Sequence, residues 1–319
     1  IASTAVEPRM LLHGFVAVIV AVITARFLRF DDQLIEEGIY GYNALLVGLG
    51  TAALMESDLF AFGVLTAGSV LSVFATAAAR TGTSANGLPI LTAPFLAVYY
   101  LVIATTTSLG LSLAPLPSGP EIACLPEWLE LYLKSLGMIF FVPRLDAGLL
   151  LFAGLVLHSR IATMFSLVGL LMAYLVMQVS ALTVLAGDVF PMLLTLNMMF
   201  TAIALGGVWF VPSRSSLVLA FIGAASAAAL TISAAPILAQ VGLPILILPF
   251  NITTWLILYA LRQRTRDGAP QSVDFVPGTP EENFVYHRTH VLRFGAHYAT
   301  RIKAPFNGVW VCTQGVDGE

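Results

Sequence analysis

Gly87-Leu88-Pro89-Ile90-Leu91-Thr92-Ala93-Pro94-Phe95 recurs as Gly242-Leu243-Pro244-Ile245-Leu246-Ile247-Leu248-Pro249-Phe250. Seven of the nine positions are identical, and the copies lie 155 residues apart. A second echo keeps nearly the same offset. Tyr42-Asn43-Ala44-Leu45-Leu46-Val47-Gly48-Leu49 answers Leu196-Asn197-Met198-Met199-Phe200-Thr201-Ala202-Ile203, 154 residues on. Two motifs sharing one offset point to a duplicated domain. In a membrane chain, duplication is a common way to build a pore or transporter.

Composition places the chain in a membrane. Of 319 residues, 58% are hydrophobic and only 10% charged, against about 25% charged in a soluble domain. Mean hydropathy is +0.89. Residues 81–120 and 215–261 contain no Asp, Glu, Lys or Arg, which no soluble core sustains. A net charge of −3 implies no charged partner and gives no reason to expect nucleic acid. Cys124 and Cys312 suggest no metal site and read as free thiols. The chain begins at Ile1 without a signal-peptide layout, because Glu7, Arg9 and His13 interrupt the first apolar run. It reads as a piece of something longer at both ends.

Apolar spans fall at 11–28, 39–55, 59–79, 89–112, 147–158, 161–186, 190–211, 215–240 and 243–262. In lipid they must be helical, since no backbone group can be left unpaired there. The Leu-Pro and Pro-Phe breaks inside two of them survive only where protein or water satisfies the freed groups. Paired broken helices in corresponding halves are the strongest sequence pointer to a transport site. The expected organisation is a first membrane repeat at 1–113, a proline-rich linker at 114–130, a second repeat at 131–266, and a soluble tail at 267–319. In the second repeat, Trp128 to Phe141 is amphipathic and too short to span. Phe140, Phe141 and Pro143 favour a half-helix that dips into the membrane and stops. Arg262, Arg264 and Arg266 follow the last span and place that end in the cytoplasm. The tail reads as strand-like over 284–319, with Phe284-Val285-Tyr286 and Val309-Trp310-Val311 set off by Asn307-Gly308.

No catalytic constellation is visible. Glu56, Asp58, Asp146 and Asp188 sit at span edges, as do His13 and His158. Ion-coupled transporters keep ionisable groups deep in their spans, so their scarcity argues for passive conduction of a neutral solute. Stripping an amide of water without replacement costs a few kcal/mol per group. A pore must return those hydrogen bonds at its broken helices. Candidate groups are Thr92, Asn43 and Asn197, with Thr253 and Thr254 less securely placed. Flat walls for a flat solute could come from Tyr42, Phe95, Phe140, Phe141 and Phe250. Each aromatic could equally be ordinary helix packing, and Thr92 could be back-bonded to its own helix. His287-Arg288-Thr289-His290 in the tail offers two of the ligands a metal needs and no third.

The repeated phrases resemble the urea transporter family. Gly38-Ile39-Tyr40-Gly41-Tyr42-Asn43-Ala44-Leu45-Leu46-Val47-Gly48 is similar to its glycine-tyrosine-asparagine signature, and Asn197 to Gly207 to the partner in the second half. Leu-Pro-x-x-x-x-Pro-Phe resembles its paired boxes, and Pro280-Glu281-Glu282-Asn283 its post-membrane tail. The resemblance implies an all-α polytopic membrane protein of two inverted repeats, each of about five spans and a pore half-helix. It implies a homotrimer with one pore per subunit, in a bacterial inner membrane, passing urea or a small amide between aromatic or apolar plates along a ladder of oxygens. No enzyme activity and no cofactor are implied. Carried over singly, the first central threonine is Thr92, and its partner position is Ile247. Met138 stands where the family has a glutamine or glutamate. Phe141 fits a slot, with Tyr42 and Leu196 as further walls. The first half-helix is expected before Ile1. Losing one threonine and one polar gate should make the second half drier.

Ala304 to Gly315 also resembles the opening strands of a lysostaphin-type zinc peptidase domain, whose zinc ligands would lie beyond Glu319. This supports a second reading, a membrane anchor or sensor for a C-terminal domain. An ammonium or small-anion channel is a third, and no paired histidines or deep basic residue favour it.

Overall fold

The computed structural model describes residues 7–84, 86–110, 116–117, 119, 125–179, 189–264, 268–273 and 278–295. They form helices throughout: α1 (Pro8–Phe27), α2 (Asp32–Glu36), α3 (Gly41–Leu54), α4 (Leu59–Ser84), α5 (Ala93–Ser108), α6 (Glu127–Met138), α7 (Leu145–His158), α8 (Arg160–Val179), α9 (Val189–Ile203), α10 (Arg214–Gln240), α11 (Leu248–Arg262) and α12 (Pro280–Phe294). A π-helical turn, Ala204–Val208, continues α9. The only pairing of β type among the described residues is one bridge, Phe210 to Ser272.

Among the described residues, five helices are long and apolar enough to cross a membrane: α1, α4, α8, α9 with its π turn, and α10. They are joined by the shorter apolar helices α3, α5 and α7. The protein is an all-α polytopic membrane protein, as its composition requires. The duplication is visible in the packing. α1 packs on α3 and α4, and α8 packs on α9 and α10. Small residues set both approaches. A Cβ on Gly48 would lie 2.6 Å from the His13 carbonyl oxygen, and one on Gly169 would lie 2.4 Å from the Met199 Cα. The halves meet where α5 faces α11.

α5 and α11 start late because each nine-residue phrase breaks its span. Leu88–Ile90 and Leu243–Ile245 are non-helical, and each helix then opens with a proline in its first turn, Pro94 and Pro249. Proline is tolerated there because its missing N–H would have had no partner. α6 buries Tyr132, Leu133, Ser135, Leu136, Gly137 and Met138, so its C-terminal half enters the protein.

One expectation fails. Phe284-Val285-Tyr286 is helical, within α12, so the tail is not β-like where it is described. Thr279 and Glu282 form a reciprocal capping box around Pro280, and that start signal outweighs three strand-forming residues. Cys124, Asp188, Arg266, Val309–Val311, Cys312 and the peptidase-like stretch 304–315 lie outside the described residues.

Candidate functional site

Each broken span leaves a helix N-terminus with unpaired N–H groups inside the protein. An asparagine from the neighbouring helix answers each. Asn43 Oδ1 accepts from the Phe95 N–H at 3.2 Å, and Asn197 Oδ1 accepts from the Phe250 N–H at 2.9 Å. Both asparagines are fully buried. The carbonyls before the breaks are handled differently. Asn197 Nδ2 donates to the Leu246 carbonyl at 2.7 Å. The equivalent Leu91 carbonyl accepts instead from the Tyr42 hydroxyl, and Asn43 Nδ2 has no partner. The halves are also tied reciprocally. Trp255 Nε1 donates to the Pro89 carbonyl at 2.7 Å, and Tyr100, 155 residues earlier, donates its hydroxyl to the Ile245 carbonyl at 3.3 Å.

The two breaks and the end of α6 close on one cavity of about 250 Å³. It is lined by Tyr42, Leu46, Leu91, Thr92, Phe95, Met138, Ile139, Phe141, Leu193, Leu196, Phe200, Leu246, Ile247 and Phe250. No lining side chain carries a charge at neutral pH, and only Tyr42 and Thr92 carry a polar atom that hydrogen-bonds strongly. Leu91, Phe141 and Leu246 all have positive φ (51°, 58° and 45°). Bulky residues rarely adopt that conformation. Three at one cavity mark a place where the surrounding structure holds strained backbone, as functional sites do.

The cavity has two aromatic walls. Phe95 stacks on Tyr99 with centroids 5.3 Å apart, and Phe141 meets Tyr99 edge-on at 5.4 Å. Phe200 and Phe250, also on the lining, lie 5.5 Å apart. Thr92 and Ile247 both line the cavity, and Asn251 connects them. Asn251 Oδ1 accepts from the Thr92 N–H at 3.1 Å. Its Nδ2 donates to Thr92 Oγ1 at 2.8 Å and to the Ile247 carbonyl at 2.9 Å.

Of the residues singled out in sequence, Tyr42, Thr92, Phe95, Met138, Phe141, Leu196, Ile247 and Phe250 line this cavity. Asn43 and Asn197 stand behind it as backbone caps. Phe140 does not line it and packs instead beside the core containing Phe95 and Tyr99. Thr253 and Thr254 are fully buried on α11 away from the cavity. Phe200 and Asn251 were missed. Phe200 lies one turn beyond Leu196 on the same helix, which was a usable signal. Asn251 directly follows the repeated phrase, at the position equivalent to Leu96. The second-half lining carries no polar side chain, as expected of a drier half, and Asn251 stands behind it against Thr92.

The charged groups lie elsewhere. Arg144 bridges Glu7 at 2.6 Å and Asp146 at 2.7 Å. Arg262 donates to the Asn86 carbonyl, beside the first break. α12 is fastened to the second half. Glu281 accepts from the Ser159 hydroxyl at 2.6 Å and the Ile161 N–H at 2.8 Å. Asn283 Nδ2 donates to the carbonyls of Gly207 and Val208 in the π turn, both at 3.0 Å. Burial pushes the Glu281 carboxyl up, but the bonds from Ser159 and Ile161 outweigh it and hold it below its ordinary value. No group of metal-ligating side chains occurs among the described residues.

The family model described as "UT: Urea transporter" matches residues 1–262. The chain is also similar to urea transporter 1 of Ovis aries and of Capra hircus. Each is 26% identical over 268 residues, covering 79% of this chain and 68% of the relative. The matched region contains both broken boxes, their asparagine caps and the cavity between them, and the chain belongs to the urea transporter family.

Proposed function

We propose that the protein conducts urea, or a similarly small neutral amide, passively across the membrane, with the cavity between the two boxes as its filter. One observation carries this reading. Two broken helices converge on a narrow space with aromatic and aliphatic lining, no charged side chain and the Thr92 hydroxyl on its wall. The apolar walls exclude ions, since a charge stripped of water there would find no partner. A planar amide fits between the Phe95–Phe141 and Phe200–Phe250 walls, and Thr92 returns one of the hydrogen bonds lost with water. Met138, at the end of α6, forms part of the lining in place of a polar gate.

The same reading takes residues 1–113 and 131–266 as inverted halves joined by 114–130, and 267–319 as a tail. Arg262 and Arg264 favour a cytoplasmic C-terminal end in a bacterial inner membrane. Three copies, each with its own conduit, would assemble as the family resemblance implies. Stopped-flow light scattering on proteoliposomes holding the full-length chain tests the function. Urea entry several times faster than in protein-free vesicles is expected. Entry at the protein-free rate would refute it and favour an anchoring role for the membrane part.

A further inference from the structure

Most threonines on the helices of this protein donate their hydroxyl proton to a carbonyl four residues back. Thr51, Thr106, Thr201 and Thr231 all do so, at 2.7–2.8 Å. Thr92 does not. It sits at the break, just before α5, and it is partly open to the cavity. Its oxygen instead accepts a proton from Asn251.

The direction of that bond is fixed by the bonds around it. The Thr92 N–H can only donate, so the Asn251 oxygen must face it. The Asn251 NH₂ group is then left to face Thr92 Oγ1 and the Ile247 carbonyl, and both of its protons are used. Asn251 is almost fully buried, so turning the amide over would set oxygen against oxygen at Ile247. The Thr92 hydroxyl thus has one lone pair occupied, while its proton has no acceptor among the described residues. The cavity is the space it borders, and no other lining side chain offers an unused O–H. The Tyr42 proton is taken by Leu91.

We propose that Asn251 is a positioning residue that makes Thr92 a hydrogen-bond donor to the solute. It thereby directs the filter at the carbonyl oxygen of an amide rather than at its nitrogens. The inference rests on the conduit reading above. It follows that the filter distinguishes oxygen from sulfur: urea accepts the Thr92 proton well, and thiourea, of nearly the same shape, accepts it poorly. The asymmetry between the halves serves this end. Asn251 replaces the Leu96 of the first half, and Ile247 replaces Thr92, so the two polar substitutions meet as one pair.

The test measures urea and thiourea entry into proteoliposomes of the full chain and compares their ratio across variants. The loss of one neutral hydrogen bond corresponds to a fall in that ratio of about five- to tenfold. Thr92→Val should produce that fall. Asn251→Leu, which restores the first half's residue, should produce a similar fall. In the Thr92→Val background, Asn251→Leu should change the ratio no further. Asn251→Leu slowing both solutes equally, with the ratio intact, would make Asn251 only a scaffold residue and overturn the proposal. A ratio unmoved by Thr92→Val would overturn it without any change at Asn251, should the Asn251 variant fail to fold. A further fall when Asn251→Leu is added to Thr92→Val would also overturn it, since Asn251 would then act by another route. Absence of urea entry with the unaltered chain would overturn the conduit reading and this inference together. Entry with an unmoved ratio overturns the inference alone.

Discussion

Replacing the two capping asparagines by alanine should have unequal costs. In Asn197→Ala, the buried Phe250 N–H loses its acceptor and the Leu246 carbonyl loses its donor. Each buried polar group left without a partner costs about 1–3 kcal/mol, so the total is about 2–6 kcal/mol. In Asn43→Ala, only the Phe95 N–H is orphaned. The Leu91 carbonyl keeps its Tyr42 partner, and the removed Asn43 Nδ2 had none. That variant should cost about 1–3 kcal/mol, less whatever relief comes from removing the unpaired NH₂ group. The space vacated is the same in both, so the difference isolates the hydrogen bonds. It should be about 2 kcal/mol, or about thirtyfold in the folded-to-unfolded ratio. Reversible unfolding in mixed micelles, titrated with sodium dodecyl sulfate under one set of conditions, reads this difference directly. Equal destabilisation, or a larger loss in Asn43→Ala, would refute the view that Asn197 holds two backbone groups and Asn43 one. A triple comparison sharpens the result: Tyr42→Phe frees the Leu91 carbonyl beside the idle Asn43 Nδ2, so Asn43→Ala should become more costly in that background.

Three further outcomes follow from the same contacts. Gly169→Ala would put a methyl 2.4 Å from the Met199 Cα and should cost at least about 1–3 kcal/mol, whereas Gly63→Ala on α4, where nothing lies within 4 Å, should be neutral or slightly stabilising. The same titration checks both, and similar costs would contradict the close α8–α9 approach. Ile247→Thr should raise urea entry several-fold by adding a hydroxyl opposite Thr92, and unchanged or slower entry would show that the conduit needs an apolar surface there. The Glu281 carboxyl titrates below its ordinary value of 4.5, so its contribution to docking α12 is complete above that pH and is lost as pH falls through the lower, folded value. The protection factors of the α12 amides, corrected for the intrinsic pH dependence of exchange, should therefore fall below about pH 4.5. Glu281→Gln should show lower protection at neutral pH and little further fall on acidification.

The broken boxes were legible because proline and glycine act on the backbone directly, whatever surrounds them. A proline within an apolar span, twice at one offset, leaves little freedom for the chain. The mismatch of Thr92 with Ile247 was legible for the same reason, as a difference inside an otherwise fixed phrase. The roles of Asn43 and Asn197 were not. A buried polar residue near a break serves equally as a lining group or a cap, and only the direction of the neighbouring N–H decides. Phe140 and Phe141 looked interchangeable in sequence. Both rings pack with the core containing Phe95 and Tyr99, and with the left-handed turn at Phe141 only the Phe141 ring also reaches the cavity. Asn251 was hidden because, at the first turn of a helix, asparagine is an ordinary residue. Its partner lies 159 residues away. Phe284–Tyr286 was misread because three apolar residues define no period, while the capping box at Thr279 and Glu282 did define a helix start.

The two halves cap their broken helices alike and differ most where they face the cavity. Asn43 and Asn197 accept from equivalent N–H groups, and Tyr100 and Trp255 hold carbonyls in equivalent breaks. Thr92, Tyr42 and Leu46 oppose Ile247, Leu196 and Phe200, and none matches its counterpart. The physics separates these two sets. A helix interrupted inside a membrane exposes the same N–H and carbonyl groups in either half, and the cost of leaving them unpaired is the same. One solution therefore serves the N–H groups twice, whereas the carbonyls before the breaks are paired by Tyr42 in one half and by Asn197 in the other. The cavity wall is under no such constraint, because its demand is set by the solute. If the protein conducts a small amide as proposed, Thr92 is the one free hydroxyl on this wall, where a symmetric pair would offer two. The solute would then lose its water along an apolar lining and regain one strong contact. The rate should then depend steeply on Thr92 and Asn251 and weakly on any one apolar wall residue, even though those residues form most of the lining.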